Sequence, residues 1–177
     1  MAPTNFSLYL QYNMKYLFYF LMVFPLSAFS QECKVKKTKD PFSQENKIST
    51  GFKSLGNMRM TIDADKKEIN FLFTLNNTGT SKCFDDASTL TMILEDGKTK
   101  LNFKNTGTMN CEGFFQFTMR NTPVTQSYLQ KLTTKKVKTI RFTQNKVQAD
   151  YTLTEEFKQT LLDLSICMAK EAKTLLN

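Results

Sequence analysis

The chain has neither histidine nor tryptophan in 177 residues. The first absence removes the commonest general base, the commonest transition-metal ligand and the usual partner of a serine or cysteine nucleophile. Carboxylate-only chemistry survives it, because a glycosidase needs no more than two Asp or Glu residues. The second absence weakens that survivor, since sugars are gripped on aromatic platforms and most of the 16 Phe residues fall on stripes predicted to be core. No C-x-x-C pair, phosphate-binding glycine loop or nucleophile motif is present. Glycine and proline are scarce, at six and four residues, and they collect into no linker. No low-complexity tract or repeat of solenoid period interrupts the chain after residue 30. The expectation is therefore a non-enzymatic binding or structural protein without cofactor or metal. A carboxylate-dependent hydrolase and a carrier of a small apolar ligand stand as the alternatives.

What is present begins with an apolar run, Tyr16 to Phe29, behind Met14-Lys15 and closed by Ser27-Ala28-Phe29-Ser30. A short cationic start, about a dozen apolar residues and small residues before the cut are what a signal peptidase reads. The run is too short for a spanning helix, which needs about 20 apolar residues. Residues 1–30 are predicted to be a signal peptide cleaved after Ser30, and the thirteen residues before Met14 contain no Lys or Arg, so translation starting at Met14 would leave the same product. Cys33 stands too far from the cut for a lipid-anchored protein, because Gln31-Glu32 intervene. The expected product is a secreted or periplasmic protein of residues 31–177, long enough for a single domain with one core. Its leader carries only Lys15, so the formal charge of +8 falls to +7 on cleavage and the chain stays basic. That balance favours anionic partners.

All four cysteines, Cys33, Cys83, Cys111 and Cys167, lie in the exported part, where disulfides persist. Three pairings are possible. The segment from Cys83 to Cys111 folds back at Asp96-Gly97 with nearly equal arms, which favours Cys83 with Cys111 and leaves Cys33 for Cys167. A strict two-residue hairpin sets Cys83 opposite Asn110, so the bridge requires one bulge or loop position.

From Lys47 to Leu153 most apolar residues alternate, the period of half-buried strands. Met58, Met60 and Ile62 pair as a hairpin with Ile69, Phe71, Phe73 and Leu75. Leu90, Met92 and Leu94 lead to Leu101 and Phe103, and Phe115, Phe117 and Met119 form another strand. Tyr128, Leu129 and Leu132 mark a short helix after Pro123 and Thr125. Val137, Ile140 and Phe142 then pair with Val147, Ala149, Tyr151 and Leu153 about Gln144-Asn145. Thr152 or Thr154 caps a last helix whose stripe is Phe157, Leu161, Leu164, Met168, Ala172 and Leu175. The predicted fold is α+β: an antiparallel β-sheet of about seven strands packed by a short helix and a C-terminal helix and pinned by two disulfides. Its strands leave one face polar unless they divide into two stacked sheets.

Several clusters invite a functional reading. Asp63-Ala64-Asp65-Lys66-Lys67-Glu68 lacks the glycine and the remaining ligands of a calcium loop, so it reads as a solvated turn. Asp85, Asp86 and Glu112 flank the cysteines Cys83 and Cys111, whose bridge would gather them at one end of the sheet as a candidate acidic cluster. Lys34, Lys36, Lys37 and Lys39 line the first mature segment, and Lys135, Lys136, Lys138 and Arg141 begin the penultimate strand. If the two stretches share an edge, they make an anion-binding surface for a glycan, a lipid headgroup such as that of lipopolysaccharide, or an acidic protein face. Lysines also guard exposed edges against pairing. Nucleic acid is not expected as a partner of an exported chain. Asn76-Asn77-Thr78 is a glycosylation sequon only in a eukaryotic host. Phe71-Leu72-Phe73 and Phe114-Phe115 each force an apolar side chain away from the main core, toward a second layer or a partner.

The order Asp40-Pro41-Phe42, a Phe- and Thr-rich middle, Leu129-Gln130-Lys131-Leu132, Val137-Lys138-Thr139-Ile140-Arg141-Phe142 and a last helix resembles small exported proteins of unassigned function of Bacteroidetes type. The similarity covers most of the mature chain, with Val-Lys-x-Ile-Arg as its most pointed motif. It implies a periplasmic or outer-envelope setting and brings no activity, ligand or catalytic residue with it.

Overall fold

Successive side chains of a strand point to opposite faces, and the central segments of this chain obey that rule strictly. Along Glu68–Leu75 the odd-numbered Ile69, Phe71, Phe73 and Leu75 are buried, and Phe115, Phe117 and Met119 follow the same rhythm in Phe114–Arg120. The computed structural model describes residues 33–76 and 83–176. The predicted leader and the last two positions of Asn76-Asn77-Thr78 lie outside the described residues. The strands are β1 (Lys36–Lys39), β2 (Asn46–Ser49), β3 (Lys53–Ser54), β4 (Met58–Ala64), β5 (Glu68–Leu75), β6 (Thr89–Leu94), β7 (Lys100–Lys104), β8 (Phe114–Arg120), β9 (Val137–Gln144) and β10 (Val147–Thr152). The helices are α1 (Ser127–Thr134) and α2 (Glu155–Glu171), the latter followed by a 3₁₀ turn, Ala172–Leu175. None of the described helices is long and apolar enough to cross a membrane.

The α+β class holds, with antiparallel pairing throughout, but the strands number ten among the described residues and form two sheets. The seven expected strands are β4 to β10. The additional three, β1 to β3, are short and rich in Lys and Ser, so alternation cannot announce them. One sheet runs β1-β2-β4-β5-β8 with β3 also on β4, and the other runs β10-β9-β6-β7. β2 and β3 share one edge of β4, and between them the Thr50 hydroxyl accepts from the Ile62 N–H at 2.9 Å where a carbonyl would normally serve.

The sheets face each other across a phenylalanine core. Phe117 of β8 stacks on Phe71 at 4.7 Å and on Phe103 of β7 at 4.0 Å, and Phe142 of β9 meets Phe73 and Phe115 edge-on at 5.9 and 5.4 Å. Each such ring taken out of water contributes roughly 1.5–3 kcal/mol before entropy is counted. One side of the sandwich is closed where the chain leaving β7 runs beside β8. There Thr106 N–H donates to the Gln116 carbonyl at 2.7 Å, and Gln116 N–H donates to Asn105 Oδ1 at 3.0 Å. Helix α2 packs on β4 and β9, and α1 packs on α2.

Local chemistry explains the connections. Gly97 takes φ +66° in the turn after β6, where Asp96 Oδ1 accepts from the Lys98 and Thr99 N–H groups. Asn145 and Lys146 both have positive φ, the conformation a two-residue hairpin needs. A register shift beside Ile93 and Leu94 sets Leu94 opposite Val137, so Lys138 is the extra residue and both Val137 and Ile140 reach the core. Thr154, of the two candidate caps, accepts from Phe157 N–H. The buried line of α2 is Leu161, Ser165 and Met168 and continues into Ala172 of the 3₁₀ turn, with Phe157, Leu164 and, in that turn, Leu175 partly covered. The unexpected Ser165 satisfies its hydroxyl by donating to the Leu161 carbonyl at 2.8 Å. Leu72 and Phe114 lie on the outer face of their sheet and are half-buried.

Candidate functional site

The structure joins Cys33 to Cys167 and Cys83 to Cys111, with Cα separations of 5.3 and 3.7 Å. The second bridge depends on a one-residue offset. Thr89 faces Lys104 in the β6–β7 ladder, whereas beyond Ser88 it is Phe84 that faces Asn110, which brings Cys83 to Cys111. The first bridge fixes the start of the described chain to the C-terminal half of α2.

The short bridge sets Asp85 and Glu112 next to its two cysteines, but the acids face different duties. Asp85 Oδ1 accepts from the Ser88 hydroxyl at 2.7 Å and from the Ala87 N–H at 3.1 Å, and Ser88 is itself buried. Those bonds, the hydroxyl first, hold the Asp85 carboxyl below its ordinary pKa. It is thereby ionised and committed to its turn. Asp86 and Glu112 are exposed. Among the described residues no three Asp, Glu or Cys side chains gather closely enough to hold a metal ion. A pair of carboxylates flanking a substrate bond needs a cleft, and neither cavity described below is lined by these three residues.

The two basic stretches do not share an edge. Lys34, Lys36, Lys37 and Lys39 belong to β1 and its approach, the outer edge of one sheet. Lys135 and Lys136 precede β9, and Lys138 and Arg141 lie on it, an interior strand of the other sheet, between β10 and β6. Their electrostatic states differ as well. Lys135 pairs with Asp96 at 2.7 Å, Lys136 with Glu155 at 3.6 Å, and Arg141 with Asp150 through two N–H donors at 2.6 and 2.7 Å. The Lys135 ammonium, followed by Thr99, pulls the Asp96 carboxyl well below the usual range, and the hydrogen bonds from Arg141 lower that of Asp150. Lys158 joins Glu95 and Glu155 at the start of α2, and its pKa is raised by those hydrogen bonds. Among the described residues Lys37 is the one lysine of β1 in an ion pair, with Glu171 at 3.3 Å. Among the described residues Lys34, Lys36 and Lys39 form no ion pair. All four residues of β1 are exposed. Among the described residues β1 pairs with β2 alone, and no strand pairs with its other edge.

A groove between the helices has no counterpart in the sequence pattern. An open depression of about 850 Å³ is lined by Pro123, Val124, Thr125, Gln130, Thr133, Ile166, Ala169, Lys170 and Lys173. Beside it lies a gap of about 10 Å³, room for a single water at most. Val124 is 81% exposed and Ile166 46%. The only signal for this surface is Ile166, an apolar residue off the buried stripe of α2. The Phe and Met residues that a carrier of apolar ligands would present are absent from this lining, while Met58, Met60, Met92 and Met168 are fully packed inside.

These features define a disulfide-bonded α+β protein whose two antiparallel sheets enclose a phenylalanine core and whose edge strand β1 is basic and exposed along its length. No protein-family model, curated protein or solved structure matches the chain.

Proposed function

We propose that the protein is exported, that it is a non-enzymatic binding protein of the periplasm or cell envelope, and that it holds an anionic partner on the lysine-rich edge strand β1. The observation that carries this reading is the contrast between the two basic stretches. Three of the four cations in the second, Lys135, Lys136 and Arg141, are neutralised by Asp96, Glu155 and Asp150, whereas Lys34, Lys36 and Lys39 stand exposed without a carboxylate among the described residues. A lysine already paired must exchange one anion for another, so free lysines gain more from a polyanion. Export is supported by the leader-like residues 1–30 and by two disulfides, which persist in oxidising compartments.

The test is retention of the exported protein on an immobilised sulfated polysaccharide as salt is raised, together with sequencing of its N-terminus. The chain begins at Gln31, and the triple change Lys34→Glu, Lys36→Glu and Lys39→Glu shifts elution to much lower salt without moving the unfolding midpoint. Equal retention of the triple variant overturns β1 as the binding element, and a retained leader overturns export.

A further inference from the structure

The hairpin that carries these lysines ends in a turn whose chemistry anion binding alone does not use. Asp40 Oδ1 accepts from the N–H groups of Phe42 and Ser43, both at 2.9 Å, and Lys47 Nζ donates to Asp40 Oδ2 at 2.8 Å. The backbone adds Asp40 N–H to the Glu45 carbonyl and Gln44 N–H to the Asp40 carbonyl, each at 2.9 Å, and Gln44 Nε2 donates to the Pro41 carbonyl. A turn held by so many bonds nevertheless presents Phe42 to solvent at 95% exposure. The ring therefore contributes almost nothing to the fold. Around it, five lysines against two carboxylates between residues 34 and 47 leave a net charge of +3. The Asp40 charge is already offset by Lys47, whose donation holds the Asp40 carboxyl below its usual range.

We propose that the β1–β2 hairpin is a membrane-surface finger. Phe42 enters the boundary between headgroups and acyl chains of an anionic lipid layer, Lys39 meets the headgroup phosphates, and Lys36 and Lys34, free of ion pairs among the described residues, stand further out in the field of the surface. This rests on the anion-binding reading above and names its partner. A soluble glycan supplies charge but no apolar phase for a projecting ring, whereas a lipid surface supplies both in the right order, apolar at the tip and anionic along the stem. At about 3.3 Å per residue, Lys39 sits within roughly 10 Å of the tip along the chain, comparable to the screening length of about 8 Å at physiological salt. It therefore feels the surface potential most strongly, and the lysines further up the stem feel less of it.

Because the chain has no tryptophan, Phe42→Trp places a single indole reporter at the tip. With vesicles of phosphatidylcholine and phosphatidylglycerol its emission shifts to the blue and becomes shielded from aqueous quencher, and with phosphatidylcholine alone it does neither. Phe42→Asp lowers the vesicle partition coefficient about ten-fold or more, and each Lys→Gln change near the tip lowers it about five-fold. The unfolding midpoints stay unchanged. Binding in which the indole stays fully quenched, or in which Phe42→Asp partitions like the unaltered protein, overturns the finger. Retention on the sulfated polysaccharide without vesicle binding also overturns it while leaving the anion-binding reading intact, and loss of both removes the two together.

Discussion

Replacing the pair Cys33 and Cys167 by alanine should destabilise the protein more than the same change at Cys83 and Cys111, because the loops they close differ in length. The sequence separations are 134 and 28 residues. If a bridge acts chiefly by restricting the unfolded chain, the longer contributes about 5 kcal/mol at 25 °C and the shorter about 3.6 kcal/mol. The difference of about 1.4 kcal/mol depends only on the ratio of loop lengths. Native contacts add little at Cys167, since the residue is half-buried on α2 and alanine is the best helix former. Against a typical total of about 5–15 kcal/mol, loss of the long bridge lowers the thermal midpoint by roughly 10–20 °C. Equilibrium urea unfolding followed by far-ultraviolet circular dichroism on both double variants measures the two losses. The slope against urea should also rise, because an unbridged chain exposes more surface when it unfolds. The reasoning fails if the Cys83→Ala and Cys111→Ala variant loses as much as its counterpart or more.

Three further outcomes follow from the packing and the charges. Phe117→Ala empties the place between two stacked rings and costs about 3–5 kcal/mol in urea unfolding, and a loss below about 1 kcal/mol would mean that the core collapses around the gap. Thr74→Val raises stability by about 1 kcal/mol, since the Thr74 hydroxyl is buried without a partner among the described residues opposite Phe114. An unchanged or lower urea midpoint would show that the hydroxyl is satisfied. The carboxyls of Asp40, Asp85, Asp96, Asp150 and Glu155 are all held below their ordinary values, so their contribution is complete above about pH 4–5 and is lost as pH falls through their folded values. The Asp96→Asn and Asp150→Asn double variant is accordingly less stable than the unaltered protein at pH 7, and the two converge toward pH 2. Parallel curves of urea midpoint against pH would contradict that.

Alternation alone located β4 to β8, because each of those strands has one face in the core and one outside. The helix stripe through Leu161 and Met168, the turn at Asp96-Gly97 and both bridges could be reached from spacing in the same way. The division into two sheets could not. β9 follows β8 after one helix yet pairs with β6 and β10, and that choice is made by distant contacts such as Phe73 with Phe142. The bulge at Lys138 breaks the alternation of the one strand that links the sheet's halves, so Val137 and Ile140 look out of step in the sequence while both are buried. Candidate cations were visible as residue types, but which of them are free depends on Asp96, Asp150, Glu155 and Glu171, all placed by tertiary structure. The exposure of Phe42 likewise arises from the Asp40 turn, which aims the ring away from a core that the composition alone would have offered it.

The bridge from Cys33 to Cys167 also decides how the molecule bears a load. Tension applied between a segment attached ahead of Cys33 and the C-terminal end passes through the sulfur–sulfur bond into the last turn of α2 and the 3₁₀ turn, bypassing all ten strands. With 134 residues spanned by the bridge, roughly 450 Å of contour length is withheld from extension as long as the cystine is oxidised. Pulled from Cys33 and Cys167, the oxidised protein is a short and nearly inextensible link, and reduction turns the same span into a long tether.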